Sequence, residues 1–507
     1  MSKEQNNRII KNTAFLYIRM LLMIVITLYT SRVVLNTLGI LDFGIYSVVA
    51  SIVTMLGFIS SAMITATQRF LSFELGQNNK EKLSDTFIMS ININVIITFI
   101  MFMLIGLLGI WFINNELNIP KDKLPAALWA FKCVLISFSF TLISIPYTSN
   151  IVAHEKLNIY AIISILDAAL KLLILFLIND SETEKLKTYS TLMMVVSIFI
   201  SITNIIYNRI NYSFTKFRFF WNTLLFKRLL SYTGWNFFGA LAGVFTNQCS
   251  NILINIFFGP AVNASKAITS QINSAIYGFV TAIQLSMSPQ IVKTYSVGDK
   301  TRTKSLVFIG SKYSYFFALL IASPMILKMS LVLNLWLVSI PDYAIIFSKL
   351  VIIDSLIISL SNSLISSCNA TGKIKLYQFV VGTITLLNIP ISYYMLSLDS
   401  PPETVFYISI ILSICSLIAR VVLLKRIDKE IILGFEKNVI IPVILVSFFS
   451  SILLYFLNRH IPDTFLGLII LSVISSVVIF SFIWLLGMKT SEKSFLIQFI
   501  KNKIKSI

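Results

Sequence analysis

The chain has 507 residues, of which 56% are hydrophobic and only 12% charged, about half the charged fraction of an ordinary soluble protein. The apolar residues gather into windows of about twenty separated by short polar segments, which excludes a water-soluble globular protein and predicts a membrane protein nearly throughout. The net charge of +19 is carried by residues lying between the windows, with no basic domain of their own, so it records membrane orientation and implies no nucleic-acid partner.

Met1 to Lys11 is polar, and the apolar run that follows is too long for a signal peptide and has no small-residue cleavage site, so it reads as the first membrane helix. In chain order the spanning windows are roughly 12–34, 44–70, 87–113, 128–150, 157–178, 188–208, 232–257, 268–290, 306–330, 345–367, 375–396, 404–424, 439–457 and 465–487, fourteen in all. Each is about twice as long as a barrel strand, and open strand edges cannot stand in hydrocarbon, so the predicted fold class is an all-α polytopic membrane protein. Placing the N-terminus in the cytoplasm puts 26 of the 41 Lys and Arg residues in cytoplasmic loops. Five lie opposite: Lys121, Lys123, Lys185, Lys187 and Arg459. The positive-inside rule therefore places both termini in the cytoplasm.

No outer loop reaches about thirty residues, which leaves no room for a large extracytoplasmic catalytic domain. Cys133, Cys249, Cys368 and Cys415 stand singly in or beside apolar runs, and His154 and His460 are the only histidines; neither a disulfide framework nor a metal site is expected. Segment 209–230 mixes Arg and Lys with Phe217, Phe219, Phe220 and Trp221, the composition of an interfacial linker between two halves.

The halves resemble one another. Lys132–Tyr160 aligns with Lys349–Tyr377 without a gap at an offset of 217, pairing Lys132 with Lys349, Ala153 with Ala370, Lys156 with Lys373 and Tyr160 with Tyr377. At an offset of 220 Thr13 meets Thr233 and Gly39 meets Gly259, and after a small insertion Gly76, Lys80 and Lys82 meet Gly298, Arg302 and Lys304. A repeat of six helices keeps both copies in the same orientation, the plan of a two-lobed transporter. The expected organisation is two pseudo-symmetric six-helix lobes, 1–208 and 231–424, joined by the basic cytoplasmic linker 209–230 and followed by two further helices and a cytoplasmic tail in 425–507.

The segment Arg32-Val-Val-Leu-Asn-Thr-Leu-Gly-Ile-Leu-Asp-Phe-Gly-Ile-Tyr46 resembles the arginine, Leu-Gly, Gly-Ile-Tyr pattern of bacterial polysaccharide exporters, and Ala153-His-Glu-Lys-Leu-Asn-Ile-Tyr160 resembles their turn between the fourth and fifth helices. These are the Wzx-type O-antigen flippases of the multidrug/oligosaccharidyl-lipid/polysaccharide exporter superfamily, and the likeness extends to length, helix count and a 6+6+2 plan. The resemblance implies translocation of an undecaprenyl-pyrophosphate-linked oligosaccharide across the bacterial inner membrane during lipopolysaccharide biosynthesis. It also implies lipid contact, with a polysaccharide polymerase and a chain-length regulator as candidate partners.

Ionisable groups at membrane depth are costly and usually face a cavity or a partner. The embedded basic residues are Arg19, Arg32, Arg69, Lys132, Lys171, Lys266, Lys312, Lys328, Lys349 and Arg420; Asp167 and Asp354 lie well inside windows, and Glu74 lies near an edge. Arg19, Arg32, Lys132, Lys266 and Lys349 are the candidate cavity cations for a pyrophosphate, with snorkelling to the headgroups as the alternative for each. Asp167 and Lys171 share a face of the fifth helix. Either they form an internal ion pair or the acid alternates between its lysine and a coupling H+ or Na+; Asp354 is open to the same two roles. No phosphate-binding G-x-x-x-x-G-K-[ST] loop is present and no cofactor or enzyme activity is expected. The alternatives are a lipid-linked peptidoglycan precursor flippase or a drug/cation antiporter of the same superfamily, and, from a different class, an O-antigen polymerase or glycosyltransferase.

Overall fold

The computed structural model describes residues 3–117, 119–179, 185–216, 218–337, 340–490 and 492–494. Every regular element among them is helical, as a chain that must satisfy its own backbone in hydrocarbon requires. In order they are α1 (Lys3–Thr54), α2 (Gly57–Gly76), α3 (Lys80–Asn115), α4 (Leu124–Ala153), α5 (Leu157–Asn179), α6 (Lys185–Asn211), α7 (Thr223–Ser296), α8 (Lys300–Leu327), α9 (Met329–Trp336), α10 (Ala344–Thr371), α11 (Lys375–Leu386), α12 (Asn388–Leu396), α13 (Thr404–Ile427), α14 (Lys429–Ile432), α15 (Ile441–Asn458) and α16 (Phe465–Phe482). Large apolar side chains such as Leu107, Leu108, Val473 and Val477 point outward, exposed, as expected of a multi-pass membrane protein whose solvent is lipid.

Eleven described helices are long and apolar enough to span, or twelve when Asp42–Val53 and Gly57–Gly76, bent by 45°, count as one span. Fourteen windows were expected. The difference has two sources: windows 232–257 and 268–290 both fall in α7, and window 12–34 falls in α1. A straight α7 would measure roughly 110 Å, but Gly259 breaks it at φ 78°, ψ −177°, and Gly39 breaks α1 at φ 78°, ψ 166°. Glycine alone adopts this region without strain.

The breaks at Gly39 and Gly259 lie 220 residues apart, and the same interval separates the ends of α2 and α7 (Gly76, Ser296), the left-handed residues Asn78 and Gly298, and the starts of α3 and α8 (Lys80, Lys300). The register therefore carries no insertion here, and Gly76 is the mate of Ser296, not of Gly298. A coincidental match of glycine and basic residues in the loops had allowed a two-residue slip that the helix boundaries remove. The turn after α4 and the turn after α10 likewise match at 217, with Glu155 (φ 61°) and Gly372 (φ 73°) in the left-handed region.

The chain divides into two compact units. Unit 1 comprises Met1–Val244, Ser288–Asp299 and Asn369–Phe379. Its α4 packs against α1, α2, α3, α5 and α6, and Val49, Ile113, Ala127, Phe131 and Leu186 fill the core between them. Gly109 lets α3 approach, since a Cβ there would sit 2.1 Å from the Phe131 ring. Gly239 serves α7 in the same way against Gln378, whereas a Cβ on Gly243, one helical turn on, would meet nothing within 4 Å.

Unit 2 comprises Phe245–Met287, Lys300–Cys368 and Val380–Ile507, with Ile254, Phe347, Leu396, Val405 and Phe406 at its core. Pro390 lies just beyond the α11–α12 break at Leu387, where a proline ring opposes continued helix. Helices α15 and α16 pack on α8. Two buried lysines fix this attachment: Lys312 Nζ lies 2.7 Å from Glu492, and Lys328 pairs with Asp463 and donates to the Ile461 carbonyl at 2.8 Å. Both had been read as embedded cations, and the structure shows them as paired anchors.

Candidate functional site

In unit 1 the α1–α5 contact brings Arg19 over Tyr160, with the guanidinium carbon 4.9 Å from the ring centroid, a cation–π geometry. Arg19 Nε is buried without a hydrogen-bond partner. Tyr160, Ser164, Asp167 and Lys171 recur at helical spacing and so share one stripe of α5. Along it Ser164 donates back to the Tyr160 carbonyl at 2.8 Å, and Lys171 Nζ meets Asp167 at 2.8 Å. The acid is thus neutralised within its own helix, while Arg19 has an aromatic face and no carboxylate among the described residues. The side chain of Arg32 lies outside the described residues.

In unit 2, Lys266 follows the Gly259 break and is only 6% exposed. Its one hydrogen bond among the described residues runs 3.4 Å to the Asn247 carbonyl, on the other side of the break. An ammonium so placed, with no counter-ion among the described residues, carries most of its desolvation cost uncompensated and attracts an anion. On α10, the Asp354 carboxylate takes a hydrogen bond from Ser413, and its Oδ1 is buried without a partner. Arg420 of α13 donates to Ser361 at 3.1 Å beside the fully buried Asn362, whose amide atoms have no partners. Lys349 is half-buried, whereas its repeat mate Lys132 is exposed on α4; the symmetric lysines of the sequence stand in unlike surroundings.

A second group stands on the turns at one end of unit 1, of which sequence reasoning singled out Arg69 as an embedded cation and passed over Glu155 and Lys293. Arg69 of α2 is buried against the last turn of α10, and Glu155, between α4 and α5, meets Lys293 near the end of α7. The available signal was the repeat itself: Glu155 is the only acid in the matched turn, opposite Gly372. Next to it His154 donates from Nδ1 to the Asn150 carbonyl at 2.9 Å and packs 4.3 Å from the Tyr212 ring.

Burial holds the His154 imidazole down at about 4 from an ordinary 6.5; the Asn150 carbonyl and Glu155 oppose the shift, and Lys293 and Lys156 add to it. Between those pH values the unfolded chain binds more protons, so stability falls as pH drops from 6.5 through 4 and is fully present above 6.5. Thermal unfolding in detergent is expected to show up to about 3 kcal/mol of acid sensitivity that His154→Phe removes; an unchanged pH profile in the variant would assign the sensitivity to other groups.

No known protein family and no curated protein matches the sequence. Solved structures do match. An outward-facing multidrug resistance MATE family transporter of the MOP superfamily superposes with a TM-score of 0.73 at 10% identity, covering 84% of this chain and 96% of the other. A Vibrio cholerae MATE transporter gives 0.68 at 17% identity, covering 84% and 98%. A MOP superfamily transporter from Pyrococcus furiosus, described as having a binding pocket of reversed polarity, gives 0.68 at 10% identity, covering 84% and 96%. This multi-pass membrane chain therefore has the fold of the MATE transporters of the MOP superfamily.

Proposed function

We propose that the chain is a flippase that carries an undecaprenyl-pyrophosphate-linked oligosaccharide, an O-antigen or related repeat unit, from the cytoplasmic to the periplasmic face of the bacterial inner membrane by alternating access. The observation that carries this reading is the imbalance of embedded charge. Arg19 and Lys266 have no carboxylate among the described residues, while Asp167 is neutralised by Lys171. A pyrophosphate entering hydrocarbon needs such cations to offset its charge. A lipid-linked peptidoglycan precursor would present the same pyrophosphate. The reversed pocket polarity of the Pyrococcus furiosus transporter, for which a different function is suggested, supports reading cargo charge from pocket charge. Arg32, Lys132 and Lys349 remain candidates along the path, and Asp354, with Asp167 and Lys171, is the candidate seat of H+ or Na+ coupling. Asp354 is also the observation that favours a drug/cation antiporter, which needs an acid for cationic cargo.

Deleting the gene in its native host is expected to abolish surface polysaccharide and to accumulate single lipid-linked repeat units on the cytoplasmic leaflet. Complementation with Arg19→Ala, at wild-type expression, should restore less than about a tenth of the surface polymer, since a lost charge contact of about 1.4 kcal/mol or more is at least tenfold in rate. Normal polymer in the deletion strain would overturn the flippase reading, and units reaching the periplasm unpolymerised would point to a polymerase.

A further inference from the structure

At one end of unit 1, four segments meet: the C-terminal turns of α2, α7 and α10 and the turn between α4 and α5. Two of them, α2 and α7, end on repeat mates that touch. A Cβ on Gly76 would fall 2.0 Å from Ser296 Oγ and 2.7 Å from Lys293 Cα. Around this point the contacts come in matched pairs, one from each half of the repeat.

The first contact runs from α2 to the end of α10. Arg69, 4% exposed, donates from Nε to the Asn369 carbonyl at 3.1 Å and from Nη2 to the Ala370 carbonyl at 2.9 Å. These are last-turn carbonyls at the negative end of the helix dipole, and the Asn369 carbonyl also takes the Gly372 N–H at 3.1 Å. The Tyr232 hydroxyl shares Asn369 at 3.2 Å, and Phe70 and Phe73 place their rings 4.7 Å from the guanidinium. Gly372 is what admits the arginine: a Cβ there would lie 2.8 Å from Nη2.

The second contact is the mate of the first with its chemistry changed. Near the end of α7, Lys293 Nζ meets Glu155 Oε1 at 2.6 Å and Gln290 Nε2 donates to Oε2 at 3.0 Å. Asn12 of α1 donates to the Glu155 carbonyl at 3.0 Å. Glu155 holds φ 61°, a conformation that costs a non-glycine residue about 1 kcal/mol or more. Its mate Gly372 adopts the same turn without strain, so the carboxylate is retained at a cost that its three partners offset.

We infer that the Arg69–α10 and Glu155–Lys293–Gln290 contacts are two crossed clasps that hold this end of unit 1 shut and must part for it to open. One clasp takes backbone carbonyls and the other a carboxylate, so the second is the one that a competing anion releases. The inference rests on the transporter reading only for what opening accomplishes.

The test reads opening without transport. Ser72, fully buried on α2 between Arg69 and Gly76, is replaced by Cys in a protein whose four native cysteines are Ala, and a membrane-impermeant maleimide is added to inside-out vesicles. The expected result is slow labelling of the parent, at least tenfold faster labelling in Arg69→Gln and in Glu155→Gln, and return to the slow rate in the charge-swapped Glu155→Lys/Lys293→Glu protein. Unchanged labelling in both single variants would overturn the inference. So would fast labelling that the charge swap leaves fast, which would mark general loosening of the fold. If the wild-type protein moves no lipid-linked oligosaccharide, the flippase reading falls while the labelling still decides the clasps.

Discussion

Replacing Lys266 by Met is expected to make the protein more stable and to stop it working. The ammonium is 6% exposed and reaches only one carbonyl, at 3.4 Å. An apolar side chain of similar volume removes a buried charge that no described residue neutralises, a change worth about 1–3 kcal/mol of added stability. It should raise the melting temperature in detergent by several degrees. The same change removes a cation that waits for an anion, and transport of the lipid-linked oligosaccharide should fall at least about tenfold, the equivalent of about 1.4 kcal/mol. Stability and activity moving in opposite directions is the signature of a charge kept for cargo. A variant that melts higher and transports normally would remove Lys266 from the path, and one that melts lower would show that the ammonium has a structural partner.

Glu492→Ala should do the reverse. Lys312 on α8 is 1% exposed and its Nζ lies 2.9 and 2.7 Å from the two carboxylate oxygens of Glu492. Removing the acid strands a buried charge, at a cost of about 3–5 kcal/mol. It also loosens the segment beyond α16, whose last turn packs Gly487 against Phe316 at what would be 3.0 Å from a Cβ. Removing both charges in Lys312→Met/Glu492→Ala should recover most of the loss, because the pair together contributes far less than either charge alone costs. Thermal unfolding followed by tryptophan fluorescence decides it: a single variant within about 1 kcal/mol of wild type would show that the ammonium is solvated without Glu492.

No local feature of the sequence gives either lysine its partner: Lys266 stands just before its apolar window and Lys312 inside one. Depth in a window follows from about twenty neighbouring residues, whereas pairing depends on a residue 180 positions away for Lys312 and 300 positions away for Arg69. The Asp167–Lys171 pair was legible because both members lie on one helix, four residues apart, where spacing alone implies contact. The Ser413 hydrogen bond to Asp354 and the single carbonyl contact of Lys266 among the described residues come from helix packing.

The sequence by itself determined the helical, membrane-embedded class, the positions of most spans and the repeat, because hydropathy, helix length and the glycines at 39 and 259 are local properties that lipid reads directly. It set the register of the repeat off by two residues near Gly76, since glycine and basic residues recur in these loops at more than one spacing. Only the tertiary structure decided where helices merge or break, which cations are paired and that Glu155 faces Lys293. Each of these turns on two distant segments meeting, and the energy of a buried charge is set by what stands within a few ångströms of it.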